Sequence, residues 1–351
     1  MISRHCLVVV TNDRLLRACR LQQNDRRPVW FMRQAGRYMA AYREIRKEHG
    51  MLDICRSPEL SSTVAAAPVE KFGLDAAILF SDIMIPLMEM GIELGIVEDR
   101  GPVIRNPIRS ADDVMKLKEL DASSLSFVYE SIEKTSEKLG DGVPVIGFSG
   151  APFTLASYLI EGGSSRDYLN VKRMMHTMPD AWRNLMDKLS AAVSDYLSGQ
   201  ASAGCRVVQL FDSWAGTLSA YDYREYVMPY VAGIAKRLKG EGVHVINFWT
   251  GNSALLPMMR GEDVSVVSVD WRMDIDAAWK IAGHDVGIQG NLDPAVLLEG
   301  GDYMKSRAAD ILERTRGRNG HIFNLGHGVL KDTPEEHVCE LVEFVHEWEE
   351  K

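Results

Sequence analysis

A cluster of arginines follows the first apolar run of the chain. Val29–Met32 leads directly into Arg33 and Arg37, and Arg43 and Arg46 come within about three helical turns. A guanidinium group presents a rigid fork of N–H donors that matches carboxylate or phosphate oxygens. The chain carries a net charge of −9, so this local excess of positive charge stands out from its background. The pattern favours an anion-binding site over a solvated basic helix face.

Asp82 follows the second apolar run in surroundings that are almost entirely apolar. Phe80 lies two residues before it, and Ile83–Pro86 follow it. An isolated Asp often serves as a helix cap or a turn residue. A carboxylate held in an apolar cleft can instead stabilise a developing cation or accept several N–H hydrogen bonds. From the residues alone, both interpretations stand.

Three further polar residues follow apolar runs later in the chain. His327 lies between Gly326 and Gly328, where it could bond a substrate, although a lone His is more often structural. Tyr158 falls on a predicted helix, where simple packing of its ring is the alternative. Ser213 follows the fourth run, but no GxSxG motif marks it as a hydrolase nucleophile.

Several common chemistries have no motif in this sequence. It contains no Walker loop, no HExxH and no dinucleotide fingerprint. His337 and Cys339 form a His-x-Cys pair inside the predicted last helix, where residues two apart do not share a face. We therefore predict no metal site. An arginine cluster with an Asp, a Tyr and a His indicates a site that binds a polyanion and stabilises positive charge.

Eight short apolar runs, rich in Val, Ile and Phe, recur along the chain and are interpreted as strands buried on both faces. They are Val29–Met32, Ala76–Phe80, Val143–Phe148, Val207–Phe211, Val243–Phe248, Val264–Val269, Val286–Gln289 and Ile322–Leu325. Helical patterns lie between them, as in Asp180–Ala203, Asp222–Leu238 and Pro334–Glu349. This alternation predicts an α/β fold, a single-domain (β/α)8 TIM barrel. An open doubly wound sheet is the alternative, but no GxGxxG follows any of the runs.

Polar residues collect after the carboxyl end of nearly every predicted strand, where a barrel of this class places its active site. They are Arg33, Gln34, Arg37, Asp82, Ser149, Asp212, Ser213, Asn252, Asp270, Asn291, Asp293 and His327. The long gap between the second and third runs holds Ile92–Val97 and Pro102–Ile104 around a polar turn, which predicts a β-hairpin excursion. We expect a loose extension over residues 1–11 and one barrel domain over residues 12–351.

The composition restricts the partners and the compartment. The acidic balance argues against nucleic acid, because phosphate binding needs a broad basic surface. No apolar run approaches the ~20 residues of a membrane span. The five cysteines are scattered without a CxxC pair, which suits a reducing compartment. We expect a cytoplasmic enzyme acting on a small molecule.

The stretch Pro28–Arg46 closely resembles the amino-terminal signature of the uroporphyrinogen decarboxylase family, roughly PVWxMRQAGRY. Further segments resemble that family in the same order, namely Leu79–Ile83, Gly150–Gly163, Gln209–Gly216, Gly290–Pro294 and Asn324–Gly328. The resemblance extends from about Asn12 to the carboxyl terminus. It implies a homodimeric (β/α)8 barrel of the haem (porphyrin) pathway. Such an enzyme removes carbon dioxide from the four acetate side chains of uroporphyrinogen III to give coproporphyrinogen III, without metal or organic cofactor.

The resemblance also implies roles for individual residues. Asp82 would bind the pyrrole N–H groups and stabilise a cationic intermediate. The residues implied in catalysis are Asp82, Arg33, Arg37 and Tyr158. The residues implied in substrate binding are Arg33, Gln34, Arg37, Arg46, Asp82, Tyr158, Ser213 and His327. The chain departs from the usual pattern at Met39 and Ala40, where the family often has Leu-Pro.

Two other functions compete with this interpretation. A zinc-dependent corrinoid methyltransferase belongs to a sister family on the same barrel, and it would need His and Cys ligands near strand ends. Here Cys205 precedes a predicted strand. A non-catalytic tetrapyrrole-binding protein would keep the cleft without turnover, but the presence of Asp82 and Arg33 argues against it.

Overall fold

The computed structural model describes residues 12–97, 101–140 and 142–348. The extension expected over residues 1–11 lies outside them. The strands of the described residues are β1 (Ala77–Ile78), β2 (Leu94–Val97), β3 (Gly101–Ile104), β4 (Val145–Gly150), β5 (Val207–Asp212), β6 (His244–Trp249), β7 (Val266–Ser268), β8 (Gly287–Leu292) and β9 (His321–Leu325). Seven of these strands pair in parallel in the order β1-β4-β5-β6-β7-β8-β9. They form a curled, TIM-barrel-like sheet, as the sequence predicts.

Helices surround this sheet and fill the connections between its strands. They are α1 (Arg14–Cys19), α2 (Ala40–Glu48), α3 (Met51–Arg56), α4 (Pro58–Phe72), α5 (Ile85–Glu89), α6 (Ala111–Lys116), α7 (Ser126–Leu139), α8 (Pro152–Glu161), α9 (Leu169–Thr177), α10 (Pro179–Ser202), α11 (Ala220–Tyr226), α12 (Met228–Gly240), α13 (Leu256–Met259), α14 (Ile275–Ala282), α15 (Pro294–Glu299), α16 (Gly301–Arg314) and α17 (Glu335–His346). Among the helices of the described ranges, none is long and apolar enough to cross a membrane.

The strand predicted at Val29–Met32 is not a regular strand. Only Val29 forms a parallel bridge, with Phe323 of β9. The Phe323 N–H donates to Pro28 O over 2.9 Å, and the Asp75 N–H donates to Val29 O over 2.9 Å. The run therefore lies between β9 and the residues just before β1, and it links the two ends of the seven-stranded sheet.

Side-chain amides replace the missing ladder bonds of this first run. The Phe31 N–H donates to Gln34 Oε1 over 3.1 Å, and the Met32 N–H donates to Asn324 Oδ1 over 3.2 Å. Arg33 then takes a left-handed backbone conformation with φ 59°. Such a φ is uncommon for a residue other than Gly. The ladder cannot continue past this turn.

The β-hairpin excursion is confirmed. β2 and β3 pair antiparallel, with Leu94 opposite Ile104 and Val97 opposite Gly101. The Ile104 N–H donates to Gly162 O over 2.9 Å, at the end of α8. The hairpin is thus a decoration attached to the barrel by α8.

The helix predictions at Asp180–Ala203 and Pro334–Glu349 are confirmed by α10 and α17. The single helix predicted at Asp222–Leu238 is wrong, because the chain divides it into α11 and α12 at Val227, which has φ −130° and ψ −49°. Pro229 lies in the first turn of α12. Proline has no N–H to donate and is tolerated only in a first turn, so the hydrogen-bond ladder must restart there.

A buried polar layer lies inside the barrel. The Trp30 Nε1–H donates to Gln289 Oε1 over 2.9 Å, and Gln289 Nε2 donates to Gln209 Oε1 and Ser268 Oγ, both over 2.9 Å. All four side chains are fully buried. Because buried polar groups are costly without partners, these mutual hydrogen bonds fix the side chains of several strands relative to one another.

Asp75, just before β1, connects both ends of the described chain. Its carboxylate accepts hydrogen bonds from Asn12 Nδ2 at 3.0 Å, from the Val29 N–H at 2.9 Å and from His346 Nε2 at 2.8 Å. Arg26 Nη2 lies 3.2 Å away. Burial by itself would raise the pKa of Asp75, but His346, the Val29 N–H and Arg26 together lower it to about 2.

Candidate active site

Arg33 enters the mouth of the barrel from the left-handed turn that ends the first run. Its aliphatic stem packs on Gly328, where a Cβ would overlap the Arg33 side chain. Burial lowers the pKa of the Arg33 guanidinium, Tyr158 and Asp82 oppose that shift, and Arg37 adds to it. Arg33 is therefore a partly desolvated cation with both acidic and basic neighbours.

Gln34 stabilises the Arg33 turn through hydrogen bonds to the backbone. Its side chain is fully buried. Its Oε1 accepts the Phe31 N–H at 3.1 Å and its Nε2 donates to Ala76 O over 3.0 Å. The substrate contact predicted for Gln34 is not what this placement favours, because both polar atoms of the side chain already bond to backbone.

Asp82 lies beyond β1, just before α5. Its Oδ1 accepts the Met84 N–H at 2.8 Å, so the turn role considered from the sequence is present. Its Oδ2 has no hydrogen-bond partner within the described parts of the chain. Burial raises the pKa of Asp82, and the Met84 N–H and Arg33 oppose that shift. One carboxylate oxygen thus remains available for donors from a ligand.

Tyr158 lies on α8, and its side chain is close to Asp82 and Arg33. Its ring lies 6.0 Å from that of Trp214 in an edge-on arrangement. Burial and the charge of Asp82 raise the pKa of the Tyr158 hydroxyl, while Trp214 and Arg33 lower it. Arg33, Asp82 and Tyr158 therefore lie close enough to alter one another's pKa, although they are far apart in sequence.

His327 lies half-buried after β9, with its ring 6.1 Å from that of Phe248. Burial lowers the pKa of His327 to about 4, the charges of Arg33 and Arg272 contribute, and Asp270 opposes them. The imidazole is consequently neutral at neutral pH. It can exchange hydrogen bonds with a ligand but does not add positive charge.

The other arginines of the first cluster are exposed as well. Arg37 is near enough to Arg33 to lower the pKa of Arg33. Arg43 Nη1 donates to Arg37 O over 3.0 Å and to Tyr38 O over 2.5 Å, so Arg43 braces the backbone. Arg46, on α2, donates to His49 O over 2.6 Å from one nitrogen and is otherwise exposed.

Ser213 lies in the turn after β5 and is half-buried. Its carbonyl oxygen accepts the Thr250 hydroxyl at 3.0 Å, which joins the turns after β5 and β6. The structure thus places Ser213 at the same end of the barrel as Asp82 and His327, since each follows a parallel strand.

Arg272, which follows β7, is not among the site residues predicted from the sequence. Its guanidinium lies 4.3 Å from the Trp271 ring centroid and pairs with Asp270. The Asp270 carboxylate also accepts the Arg272 N–H at 3.0 Å and the Gly251 N–H at 2.7 Å. The sequence signal that could have identified Arg272 is its position directly after Asp270 and Trp271, at the end of a predicted strand.

The pair His337 and Cys339 lies in α17, away from the strand ends. His337 Nδ1 is 3.1 Å from Leu298 O at the end of α15. Across the described residues, no group of three or more His, Cys, Asp or Glu side chains is arranged to hold a metal ion.

Comparison with known proteins gives a consistent result. The family model described as "Uroporphyrinogen decarboxylase (URO-D)" matches residues 10–348. A uroporphyrinogen decarboxylase of Koribacter versatilis is 46% identical over 338 residues, and one of Chloroflexus aurantiacus is 49% identical over 341 residues. Each alignment covers 96% of this chain and 96% of the relative.

Among solved structures, a methyltransferase from Methanosarcina mazei superposes with a TM-score of 0.77 at 23% identity. The match covers 95% of this chain and 97% of the methyltransferase. A putative vitamin-B12 independent methionine synthase from Listeria monocytogenes gives a TM-score of 0.54 at 16% identity, with 92% and 95% covered. At such identities the likeness concerns the fold alone.

Proposed function

The chain belongs to the uroporphyrinogen decarboxylase family, and on that premise we propose that its cleft decarboxylates the acetate side chains of uroporphyrinogen III in porphyrin biosynthesis. The enzyme is a carboxy-lyase whose product is coproporphyrinogen III. The observation that carries the proposal is the convergence of Arg33, Asp82 and Tyr158 at one end of the barrel. This end is the one where barrels of this class place their active sites.

The arginines Arg33, Arg37 and Arg46 bind substrate carboxylates. Arg33 has no hydrogen bond to another described side chain, so its fork is available. Its partial desolvation strengthens any ion pair that it forms. Tyr158, Ser213 and the neutral His327 supply further hydrogen bonds to the substrate. Gln34 contributes by holding the Arg33 turn.

Asp82 stabilises positive charge during the reaction. Loss of carbon dioxide leaves an electron pair that needs an acceptor, and a pyrrole protonated on carbon provides one. The bond between the methylene and carboxylate carbons breaks, and its electrons neutralise the ring. Protonation of the exocyclic carbon gives the methyl group, and loss of the added ring proton restores the pyrrole. The free Oδ2 of Asp82 accepts the pyrrole N–H groups throughout and stabilises the cation. No metal or organic cofactor takes part in this scheme.

The arginines are best used on carboxylates that do not react. An arginine that binds the departing carboxylate tightly stabilises the ground state and so slows the loss of carbon dioxide.

An anaerobic assay tests the proposal directly. Purified protein is incubated with uroporphyrinogen III and EDTA, without added cofactor, and the oxidised products are counted by carboxylate number on chromatography. Loss of all four acetate carboxylates is expected. Unchanged substrate with stoichiometric binding would favour the tetrapyrrole-carrying alternative. Unchanged substrate together with zinc bound to the purified protein would favour the methyltransferase alternative.

We further propose that one catalytic domain, residues 12–351, works as a homodimer in the cytoplasm. Membership of the family supports the homodimer. The free thiols at the described cysteines Cys19, Cys55, Cys205 and Cys339 support a reducing compartment such as the cytoplasm. Sedimentation equilibrium should give twice the chain mass of 39.2 kDa. A mass of one chain at assay concentration would refute the dimer.

A further inference from the structure

A fully buried carboxyl group, Asp212, lies behind the cleft at the end of β5. Its Oδ1 accepts the Thr154 hydroxyl of α8 at 3.0 Å. The same hydroxyl oxygen accepts the Trp214 N–H at 3.3 Å. One hydroxyl therefore joins the carboxyl of β5, the helix α8 and the turn that follows β5.

This junction lies directly behind two side chains that line the cleft. Thr154 and Tyr158 are four residues apart on α8, so they share a face of that helix. Trp214 contacts Tyr158 with ring centroids 6.0 Å apart and Tyr168 with centroids 5.5 Å apart. Movement of the Thr154 hydroxyl would therefore shift Trp214 and Tyr158 together.

The second carboxylate oxygen of Asp212 is bonded differently from the first. Oδ2 is buried and has no hydrogen-bond partner among the described residues, and the buried Oδ1 of Asn247 is unpartnered as well. The titratable group that faces Asp212 is Tyr223 of α11, which carries no positive charge. Burial raises the pKa of Asp212 to about 7, against the opposing effect of the Thr154 hydroxyl and N–H. A buried carboxylate without a cation costs much more free energy than a buried neutral acid does.

We propose that Asp212 is a positioning residue of the active site, which holds the Thr154–Trp214 junction as a neutral carboxylic acid and so fixes Tyr158 in the cleft. Ionisation strengthens the hydrogen bond from Thr154 but leaves Oδ2 as a buried charge without a partner among the described residues, and water drawn to that charge loosens the junction. The inference rests on the proposed function, because its kinetic readout is turnover of uroporphyrinogen.

The first test is the pH dependence of kcat/KM in the variant Asp212→Asn. Asparagine keeps an acceptor for Thr154 and cannot ionise. The wild type is expected to lose activity on the alkaline side with a midpoint at about 7, and the variant to keep its activity there. An alkaline loss with the same midpoint in both proteins would overturn the proposal.

The second test is Thr154→Val, which removes the hydroxyl but keeps the shape. We expect kcat/KM to fall about tenfold, the effect of one lost hydrogen bond. Because the Thr154 hydroxyl lowers the pKa of Asp212, the alkaline midpoint should also move to higher pH. The matched control is Thr135→Val on α7, whose buried hydroxyl bonds, within the described part of the chain, only to Ser131 O of the same helix. A midpoint that does not move would contradict the inference, even if Asp212→Asn does not fold.

A measurement without substrate separates this inference from the proposed function. At about pH 6, the infrared difference spectrum between the wild type and Asp212→Asn should contain the band of one protonated carboxylic acid, because the carboxyls common to both proteins cancel. If the wild type shows no decarboxylation but shows this band, the proposed function fails and the neutral acid stands. If it decarboxylates without the band, the inference fails and the function stands.

Discussion

At the scale of the residue, the two oxygens of Asp82 are used differently. Oδ1 accepts the Met84 N–H and Oδ2 is free within the described residues. Asp82→Asn keeps an acceptor for the backbone but removes the negative charge. We expect a correctly folded protein whose kcat falls by about 10²–10³, the usual effect of losing one electrostatic stabiliser. Steady-state kinetics with uroporphyrinogen III measures this loss.

The matched control for Asp82 is Asp121→Asn. Asp121 makes the same kind of turn, because its Oδ1 accepts the Ser123 N–H at 3.0 Å, but it is exposed. This control should keep wild-type kinetics. Near-normal turnover in Asp82→Asn would refute the electrostatic role.

Arg37 is an exposed cation at the rim of the cleft. Its attraction for substrate carboxylates is screened by salt. Arg37→Ala should therefore raise KM, and the ratio of KM values between variant and wild type should shrink as ionic strength rises. The control is Arg183→Ala on α10, which removes an exposed arginine that pairs with Asp180. A KM ratio that ignores salt would count against ion pairing.

The sequence was informative about residues whose position follows from strand ends. The sequence predicts that Arg33, Asp82 and His327 lie near one another because residues after parallel strands meet at one end of a barrel, and Tyr158 joins them from the helix that follows such a strand. Buried hydrogen-bond partners were not accessible in this way. The bonding of Gln34 to Ala76 O joins segments whose spacing in sequence carries no signal.

At the scale of the element, the Arg33 turn depends on the glycine turn after β9. A Cβ at Gly328 would overlap the Arg33 side chain. Gly328→Ala should therefore displace the guanidinium and lower kcat/KM about tenfold, as expected for a misplaced catalytic group. The control is Gly233→Ala on α12, where a Cβ would meet nothing within 4 Å. That control should leave kinetics unchanged and raise stability by about 0.5–1 kcal/mol. Equal kinetics in both variants would contradict the packing argument.

The predictions of elements succeeded where the pattern was local. Buried strands such as β5 and β6 appear as runs rich in Val, Ile and Phe, and a long amphipathic helix such as α10 appears as a 3.6-residue repeat. Val29–Met32 has the same composition as a strand, but the N–H groups of Phe31 and Met32 donate to side-chain oxygens instead of to a neighbouring strand. The break between α11 and α12 was missed because the apolar repeat continues across Pro229.

At the scale of the whole molecule, Asp75 connects segments from both ends of the described chain. Its folded pKa of about 2 is below the ordinary value of 3.8, so the native state binds fewer protons. The resulting stability is present above about pH 4 and is lost as pH falls toward 2. It amounts to about 2 kcal/mol. Asp75→Asn should lower the urea midpoint at neutral pH and flatten the stability curve in acid. A variant that is as stable as the wild type at neutral pH would show that the network is dispensable.

Asp212 should have the opposite effect on global stability. Its folded pKa of about 7 lies above the ordinary 3.8, so the native state binds more protons than the unfolded state between those values. Stability attributable to Asp212 therefore falls as pH rises from about 4 to 7, by up to about 4 kcal/mol. Asp212→Asn removes this dependence. Relative to the urea midpoint of the wild type, that of Asp212→Asn should therefore rise as the pH rises. Relative to the same reference, the urea midpoint of Asp75→Asn should fall between acid and neutral pH. Parallel pH curves for Asp212→Asn and the wild type would mean that Asp212 ionises in the folded protein as it does in water. Below about pH 7 the same fold would thus hold two buried carboxyls in opposite states. Asp75 is charged because five donors surround it, and Asp212 is neutral because, among the described residues, Thr154 alone donates to it.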